Sequence, residues 1–253
     1  MKLHFRTFGE GEPLIVLHGV FGSSDNWQTL GKEFAKNFRV YLVDQRNHGK
    51  SPHSDIFHYD AMAEDIVGLM ESEGIGQSHI LGHSMGGKVG MNLAARFPDK
   101  VKKLIVVDIA PKDYPPHHAQ IFEGFRSVDL PSVQSRKEAD NQMAKVISSM
   151  GIRQFILKNL DRDGEGRFRW KLNLEAIESK AHEIGDGMKP GSHFSGETLF
   201  IRGGNSKYIL QEDDQLIHSF FPNAVIETIN GAGHWVHAEK PNELKDLVIN
   251  FLI

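Results

Sequence analysis

Short, largely apolar runs recur along this sequence and alternate with segments of helical spacing. A run of about four apolar residues without polar alternation is typical of a strand buried on both faces. Strands that alternate with helices predict βαβ units, right-handed crossovers and a parallel sheet covered on both faces. We therefore expect an α/β fold built on the runs Leu14–Leu17, Val40–Val43, Ser78–Leu81, Leu104–Val107 and Thr198–Ile201.

Helical periodicity fills the intervals between these runs. Met62, Ile66 and Leu69 are three or four residues apart and predict a helix over residues 59–73. Proline is favoured in the first turn of a helix, so Pro241 predicts the start of a closing helix that ends at Leu252. Further helices are expected at 25–36, 85–97 and 213–220, with an edge strand at 3–8.

The alternation stops between residues 111 and 195, here termed the inserted segment. It carries helical patches rather than strong strand patterns, and prolines and glycines flank both ends. We expect a helical cap inserted into a core domain formed by residues 1–110 and 196–253. The alternative is that these helices pack directly on the sheet. The patches are 120–125, 138–150, 152–160 and 174–184, with a hairpin-like piece at 161–170.

Composition narrows the classes of partner. The 253 residues carry a formal net charge of −4 without a long run of one sign, which argues against nucleic acid or an anionic membrane as partner. The chain has no cysteine, so it has neither disulfides nor a thiol nucleophile. No apolar run approaches the length of a membrane span, and the first residues lack the apolar region of a signal peptide. We expect a cytoplasmic protein, either a monomer or a homodimer.

The motif Gly82-His83-Ser84-Met85-Gly86 lies between an expected strand and an expected helix. G-x-S-x-G in that context predicts a nucleophile elbow, in which glycines allow a sharp turn and a close helix–strand contact. An ordinary tight turn would explain the glycines but not their coincidence with a serine. Ser84 is therefore the candidate nucleophile.

A serine nucleophile needs a base, and its reaction needs donors for the oxyanion. His234 follows the last expected strand in a glycine-rich loop, at the sheet edge where parallel strands end. We expect His234 to be the base. The backbone N–H groups of Met85 and Val20 are the expected oxyanion donors, with Phe21 as an alternative to Val20, and His18 is expected to order that loop.

These residues resemble the α/β-hydrolase superfamily, and the resemblance covers essentially the whole chain. Its motifs are His18-Gly19, Asp44-x-Arg46-x-x-Gly49-x-Ser51, Gly82 to Gly87 and Gly231-x-Gly233-His234. More narrowly, the chain is similar to the YbfF-type bacterial esterases. That similarity implies a serine hydrolase that needs no cofactor and acts on short-chain esters or acyl-CoA thioesters. It rests on residues 46–49, 108–111, 203–206 and 231–241.

The acidic partner departs from the superfamily pattern. Most such hydrolases place it as Gly-x-x-Asp after the strand that here ends at Ile201, but this loop contains Asn205. An asparagine cannot carry the charge that stabilises an imidazolium. Asp108 ends the preceding strand, so we expect it to support His234. The alternative is that Asp108 only caps the loop into the inserted segment.

Other candidates have simpler interpretations. Phe122, Phe155 and Trp235, together with Phe21 and His18, are expected to line a substrate pocket, although core packing also explains each aromatic residue. Asp44 and Arg46 are expected to pin their own loop. No metal site is expected, because the pair at 117–118 and the histidines at 48, 53 and 58 lack metal-binding spacing.

Two functions of different class remain open at this stage. The first is a serine esterase or thioesterase, with perhydrolase or C–C bond hydrolase chemistry as variants on the same residues. The second is a ligand-binding protein that keeps the hydrolase pocket and turns over little. The presence of both Ser84 and His234 favours the enzyme.

Overall fold

The computed structural model describes residues 1–116 and 118–253 and places a seven-stranded sheet at the centre of the molecule. The strands that it describes are β1 (His4–Phe8), β2 (Pro13–Leu17), β3 (Arg39–Asp44), β4 (Ser78–His83), β5 (Val101–Val107), β6 (Leu160–Arg162), β7 (Phe168–Trp170), β8 (Thr198–Gly203) and β9 (Ala224–Ile229).

The order of strands across the sheet is β1-β3-β2-β4-β5-β8-β9. β1 pairs antiparallel with β3 at one edge, and the other neighbouring pairs are parallel. β4 and β5 therefore lie at the centre, where both faces are covered, and every residue of β4 is buried. The expected α/β fold with a mostly parallel sheet is confirmed.

Helices cover both faces of the sheet. α2 (Tyr59–Ser72) and α3 (Met85–Arg96) pack on one face against a core that includes Ile80 and Leu104. α1 (Gln28–Phe34) and α11 (Pro241–Leu252) pack on the other face against Leu81 and Ile105. The helices are α1 (Gln28–Phe34), α2 (Tyr59–Ser72), α3 (Met85–Arg96), α4 (Ala119–Arg126), α5 (Arg136–Met143), α6 (Met150–Leu157), α7 (Leu174–Ser179), α8 (Ala181–Gly185), α9 (Asp214–Phe220), α10 (Val236–Glu239) and α11 (Pro241–Leu252).

The inserted segment leaves the sheet after β5 and returns at β8, its neighbour in the sheet. It contains α4 to α8 and a two-stranded hairpin of β6 and β7, which lies apart from the main sheet. Because the segment follows the last residues of β5, it leaves from the edge where the parallel strands end, and the chain returns to the opposite edge, where β8 begins. None of the helices in the described ranges is long and apolar enough to span a bilayer.

Two helix boundaries in this segment were predicted wrongly. The expected helix at 138–150 is interrupted: α5 ends at Met143, and Ser149 caps the start of α6 by accepting a hydrogen bond from the Ile152 N–H. Serine competes with the helix for backbone hydrogen bonds, which makes it a better cap than an interior residue. The expected helix at 174–184 likewise forms two short helices, α7 and α8.

Candidate active site

Ser84 lies in the turn between β4 and α3 with a left-handed backbone, φ 52° and ψ −120°. A Cβ on Gly82 would lie 2.1 Å from the carbonyl oxygen of Gly86, and a Cβ on Gly86 would lie 2.3 Å from that of Leu17. Neither position can accept a side chain. The two glycines therefore permit the strained turn that directs the Ser84 side chain out of the sheet edge.

His234 approaches Ser84 from the loop after β9. Its Nε2 lies 3.1 Å from Ser84 Oγ, and its Nδ1 lies 2.8 Å from Asp108 Oδ2. A carboxylate only accepts hydrogen bonds, so Nδ1–H is the donor to Asp108. Nε2 is then free to accept the Ser84 hydroxyl proton. The structure thus brings together the three residues expected from the sequence.

Two further contacts hold His234, one at its ring and one at its backbone. The Tyr208 ring stacks on it, with centroids 3.8 Å apart and planes 16° apart. The backbone carbonyl of His234 accepts a hydrogen bond of 2.8 Å from His83 Nε2–H. Burial lowers the pKa of His83 well below its usual value, so this neighbour of His234 stays neutral.

Asp108 is fully buried, with 0% of its surface exposed, and also has a left-handed backbone, φ 51°. Its backbone N–H donates to the carbonyl oxygen of Ile201 at 2.8 Å. The Gly203 N–H donates to Oδ1 at 3.0 Å, and the Ser206 hydroxyl donates to Oδ2. The carboxylate is therefore oriented by the last residue of β8 and by the loop that follows, while it contacts His234.

Ser206 was not identified from the sequence as a site residue. It belongs to the Gly203–Ser206 string that carries the family resemblance, and that string was the available signal. Asn205 beside it has an exposed side chain, and its backbone N–H donates to the Ala232 carbonyl oxygen at 2.8 Å. The loop thus supplies Asp108 with a hydroxyl donor instead of supplying His234 with an acid.

The loop after β2 approaches Ser84 so closely that a Cβ on Gly19 would lie 3.3 Å from Ser84 Cβ. His18 holds this loop: its Nε2 accepts the Gln45 N–H at 3.1 Å and its Nδ1–H donates to the Gly19 carbonyl oxygen at 2.8 Å. Burial lowers the pKa of His18 and keeps this ring neutral. His18 therefore lies where the sequence placed it, behind the expected oxyanion loop.

Of the two candidate donors in this loop, Phe21 is already engaged. Its N–H donates to His48 Nε2 at 3.1 Å, and burial lowers the pKa of His48 to about 3, so the acceptor nitrogen stays unprotonated. The N–H groups of Val20 and Met85 form no hydrogen bond within the described parts of the chain. Val20 and Met85 are thus the pair free to bind an oxyanion.

A cleft of about 610 Å³, the large cavity, opens at Ser84. Of the expected pocket residues, His18, Phe21, Phe155 and Trp235 line it. Phe122 does not line it: this residue is buried behind Phe21, with ring centroids 5.3 Å apart in an edge-on contact. The remaining lining residues are Gly19, Val20, Gly22, Asn26, Trp27, His83, Ser84, His118, Ile121, Tyr208, His234 and His237.

A second space of about 260 Å³, the small cavity, meets the first at Ser84. Among the residues described, neither cavity is lined by an Asp, Glu, Lys or Arg side chain. Both cavities therefore suit uncharged groups, since an ion would be desolvated there without a counter-charge. The small cavity is lined by Val20, Tyr59, Ser84, Met85, Ile109, Tyr114, His118, Ile184 and Tyr208.

Lys88 lies one helical turn after Ser84 and is only 2% exposed. Its Nζ donates to the carbonyl oxygens of Lys112 at 2.9 Å and Gly185 at 2.8 Å, and also to that of Asp186. Burial lowers its pKa to about 7. The sequence assigned Lys88 no role, but the structure shows that it joins both ends of the inserted segment to α3.

The remaining candidates lie away from Ser84. Asp44 accepts the N–H groups of Ser24 at 2.7 Å and Lys50 at 2.9 Å, so it pins its own loop as expected. Arg46 pairs with buried Asp65 at 2.6 Å. Within the described ranges, no three His, Asp or Glu residues cluster as metal ligands would; residue 117 of the expected histidine pair lies outside those ranges.

Comparison with known proteins agrees with this geometry. The family model described as "alpha/beta hydrolase fold" matches residues 12–241. The mouse sn-1-specific diacylglycerol lipase ABHD11 is 42% identical over 247 residues, which cover 94% of this chain and 80% of that protein. Esterase YbfF of Escherichia coli (strain K12) is 36% identical over 259 residues, covering 100% and 99%.

A solved structure, that of a marine microorganism esterase, is 43% identical and superimposes with a TM-score of 0.95 over 99% of both chains. The resemblance to the YbfF-type esterases is thereby confirmed. These identities, together with the match over most of the sequence, show that the chain belongs to the α/β hydrolase fold family.

Proposed function

We propose that this protein is a serine esterase that cleaves uncharged carboxylic esters through an acyl-enzyme intermediate. The observation that carries the proposal is the chain of contacts from Ser84 through His234 to Asp108, which opens at Ser84 onto cavities without charged side chains. The esterase and lipase names of the relatives support it.

In the first half of the reaction, Ser84 Oγ attacks the ester carbonyl carbon and His234 Nε2 takes its proton. The imidazolium lies against the Asp108 carboxylate, which favours its charge. The N–H groups of Val20 and Met85 bind the oxyanion. When the C–O bond breaks, His234 returns the proton to the leaving alcohol, and the acyl group remains on Ser84.

In the second half, water replaces the alcohol. His234 Nε2 takes a proton from the water, whose oxygen attacks the acyl carbon, and the same two N–H groups bind the new oxyanion. When the bond to Ser84 Oγ breaks, His234 returns the proton to that oxygen. The carboxylic acid leaves, and the site contains the same protonation states as at the start.

The proposal extends to the inserted segment, which we assign the role of a cap. Phe155 of α6 lines the large cavity, and Ile184 of α8 lines the small one. Both cavities are thus completed by side chains from this segment. A thioester carries the same acyl carbonyl as an ester, so acyl-CoA thioesters with an uncharged acyl group form the second substrate class of the proposal. In that class the phosphates of the leaving group would lie outside the uncharged cavities.

The test is covalent labelling combined with turnover. A fluorophosphonate probe should label Ser84, the Ser84→Ala variant should not be labelled, and the wild type should hydrolyse p-nitrophenyl acetate. The heat-unfolded protein serves as a control for non-specific labelling. A folded protein that neither reacts with the probe nor turns over any ester would instead be a ligand-binding relative.

A further inference from the structure

The two cavities that meet at Ser84 differ in their relation to His234. His234 lines the large cavity but is not among the residues that line the small one. We propose that the small cavity binds the acyl group of the ester and the large cavity binds the leaving alcohol. This inference rests on the proposed function and adds which half of the ester occupies which cavity.

The path of the proton determines this direction. His234 Nε2 must reach the oxygen of the leaving alcohol, because it protonates that oxygen as the C–O bond breaks. The alcohol therefore lies in the cavity whose wall contains His234. Water enters from the same side in the second half of the reaction, since it needs the same nitrogen as base.

The oxyanion donors leave one place for the acyl chain. The tetrahedral carbon on Ser84 carries the oxyanion, the alcohol oxygen and the acyl chain. Val20 and Met85 receive the oxyanion, and the alcohol points toward His234. The acyl chain points away from His234, into the small cavity, whose wall also contains Met85.

The walls of the small cavity suit a hydrocarbon chain. Ile109 and Ile184 are aliphatic, and the hydroxyl groups of Tyr59 and Tyr114, two of the three tyrosines in the wall, are bonded to the backbone. The Tyr59 hydroxyl donates to the Ile184 carbonyl oxygen at 2.6 Å, and the Tyr114 hydroxyl donates to the carbonyl oxygen of Tyr208 and accepts the Ala110 N–H at 2.9 Å. The rings thus offer the cavity mainly apolar surface.

The size of this cavity limits the chain. The space between its atoms is about 260 Å³, including the part open to solvent. At roughly 30 Å³ for each non-hydrogen atom, as for a water molecule in the liquid, even the whole of it holds at most about nine atoms. Short acyl groups should therefore bind better than octanoyl or longer groups.

Ile184 is the specificity-determining residue that the structure assigns to this wall. A further narrow space shares Tyr59, Met85 and Ile184 with the small cavity. Because Ile184 lines both spaces, shortening it should enlarge the small cavity toward the second space, and enlarging it should shorten the small cavity. Phe155 lines only the large cavity and provides a matched control on the opposite side.

The experiment compares two series of esters on the wild type and on Ile184→Ala, Ile184→Phe and Phe155→Ala. In the first series, p-nitrophenyl esters vary the acyl chain from acetate to decanoate. In the second, alkyl acetates vary the alcohol and keep the acyl group constant. The measured quantity is kcat/KM, and thermal unfolding checks that each variant is folded.

For the wild type we expect kcat/KM to fall at least tenfold between butyrate and octanoate. Ile184→Ala should raise kcat/KM for octanoate about tenfold, and Ile184→Phe should favour acetate, since one methylene in an apolar pocket changes kcat/KM by about tenfold or more. Phe155→Ala should change the alcohol series and leave the shape of the acyl series unchanged.

The opposite pattern, with Ile184 variants changing the alcohol series and Phe155→Ala changing the acyl series, would overturn the inference. So would active, folded Ile184 variants with the acyl profile of the wild type. Either result leaves ester turnover intact and contradicts only the direction of binding. The absence of both turnover and Ser84 labelling in the wild type would contradict the proposed function itself.

Discussion

His234 Nδ1 lies 2.8 Å from Asp108 Oδ2, although 126 positions separate these residues in the chain. Asp108 follows β5, and the loop where most hydrolases of this fold place the acid follows β8, the adjacent strand. The N–H of Gly203, the last residue of β8, donates to Asp108 at 3.0 Å. The Asp108 carboxylate thus reaches the His234 imidazole from the end of β5, the strand adjacent to the one that carries the acid in most hydrolases of this fold.

Asp108→Asn should lower kcat for p-nitrophenyl acetate by about 10³–10⁴-fold, because an amide in place of the carboxylate favours the wrong tautomer of His234 and removes the negative charge beside the imidazolium. Steady-state kinetics measures the loss. Asn205→Asp is the matched control, since the Asn205 side chain is exposed and only its backbone N–H is bonded. A wild-type kcat for Asp108→Asn would refute the assignment of the acid.

Tyr208→Leu should slow acylation of Ser84 by about 3- to 30-fold, because an aromatic face over a cation contributes about 0.5–2 kcal/mol. The Tyr208 ring lies 3.8 Å from the His234 ring, where it can stabilise the imidazolium of the transition state. Single-turnover kinetics measures the acylation step. Tyr208→Phe keeps the ring and should stay within about twofold of the wild type; equal losses in both variants would contradict a role for stacking.

Acid should destabilise the fold from about pH 6.5 downward. Burial lowers the pKa of His48 to about 3, whereas an unfolded histidine titrates near 6.5. Between these values the unfolded chain binds a proton that the folded chain does not. The free energy of unfolding therefore falls by about 1.4 kcal/mol per pH unit for this one residue as pH decreases. His18, His83 and His237 have pKa values lowered in the same direction.

The test for His48 is urea unfolding at pH 7.5 and 5.5 for the wild type and His48→Gln. Glutamine can still accept a hydrogen bond from the Phe21 N–H but does not titrate. The free energy of unfolding of the variant should therefore depend less steeply on pH, because unfolding of the variant takes up about one proton fewer than unfolding of the wild type. If the free energies of unfolding of the two proteins depended equally on pH, His48 would not be held neutral in the folded protein.

Lys88→Met should loosen both ends of the inserted segment. The substitution removes the donor to three backbone carbonyls, and a buried acceptor left unsatisfied costs about 1–3 kcal/mol. We expect lower stability to urea at pH 6, where the wild-type lysine is charged, and faster proteolysis within residues 111–195. Lys189→Met is the control: it removes a largely exposed ion pair between the inserted segment and Asp60 of α2, and should cost less than about 1 kcal/mol. Equal effects of the two substitutions would contradict a special role for Lys88.

The central strands were predictable because burial on both faces leaves an unbroken apolar run in the sequence, as in Leu104–Val107. Ser84 and His234 were predictable because the elbow requires glycines at fixed positions and the base follows the last strand. These features are local in sequence, or follow from the order of elements along the chain.

Other parts of the site depend on contacts that no local pattern encodes. Ser206 and Tyr208 act on Asp108 and His234 across loops that meet only in the folded sheet. Phe122 is an aromatic residue of the type that often lines a pocket, but in the folded protein it packs behind Phe21 and does not reach the large cavity. The role of Lys88 could not be predicted, because its partners are backbone carbonyls, which every residue type supplies.

Because Lys88 bonds only to backbone atoms, it places little constraint on the sequence of the inserted segment. The carbonyls that Lys88 contacts belong to Lys112, Gly185 and Asp186, and a carbonyl is the same whichever amino acid carries it. Substitutions at Lys112 and Asp186 therefore leave the hydrogen bonds of Lys88 to the inserted segment in place. Residues of this segment that line the cavities, such as Phe155 and Ile184, can change without loss of this anchor on α3.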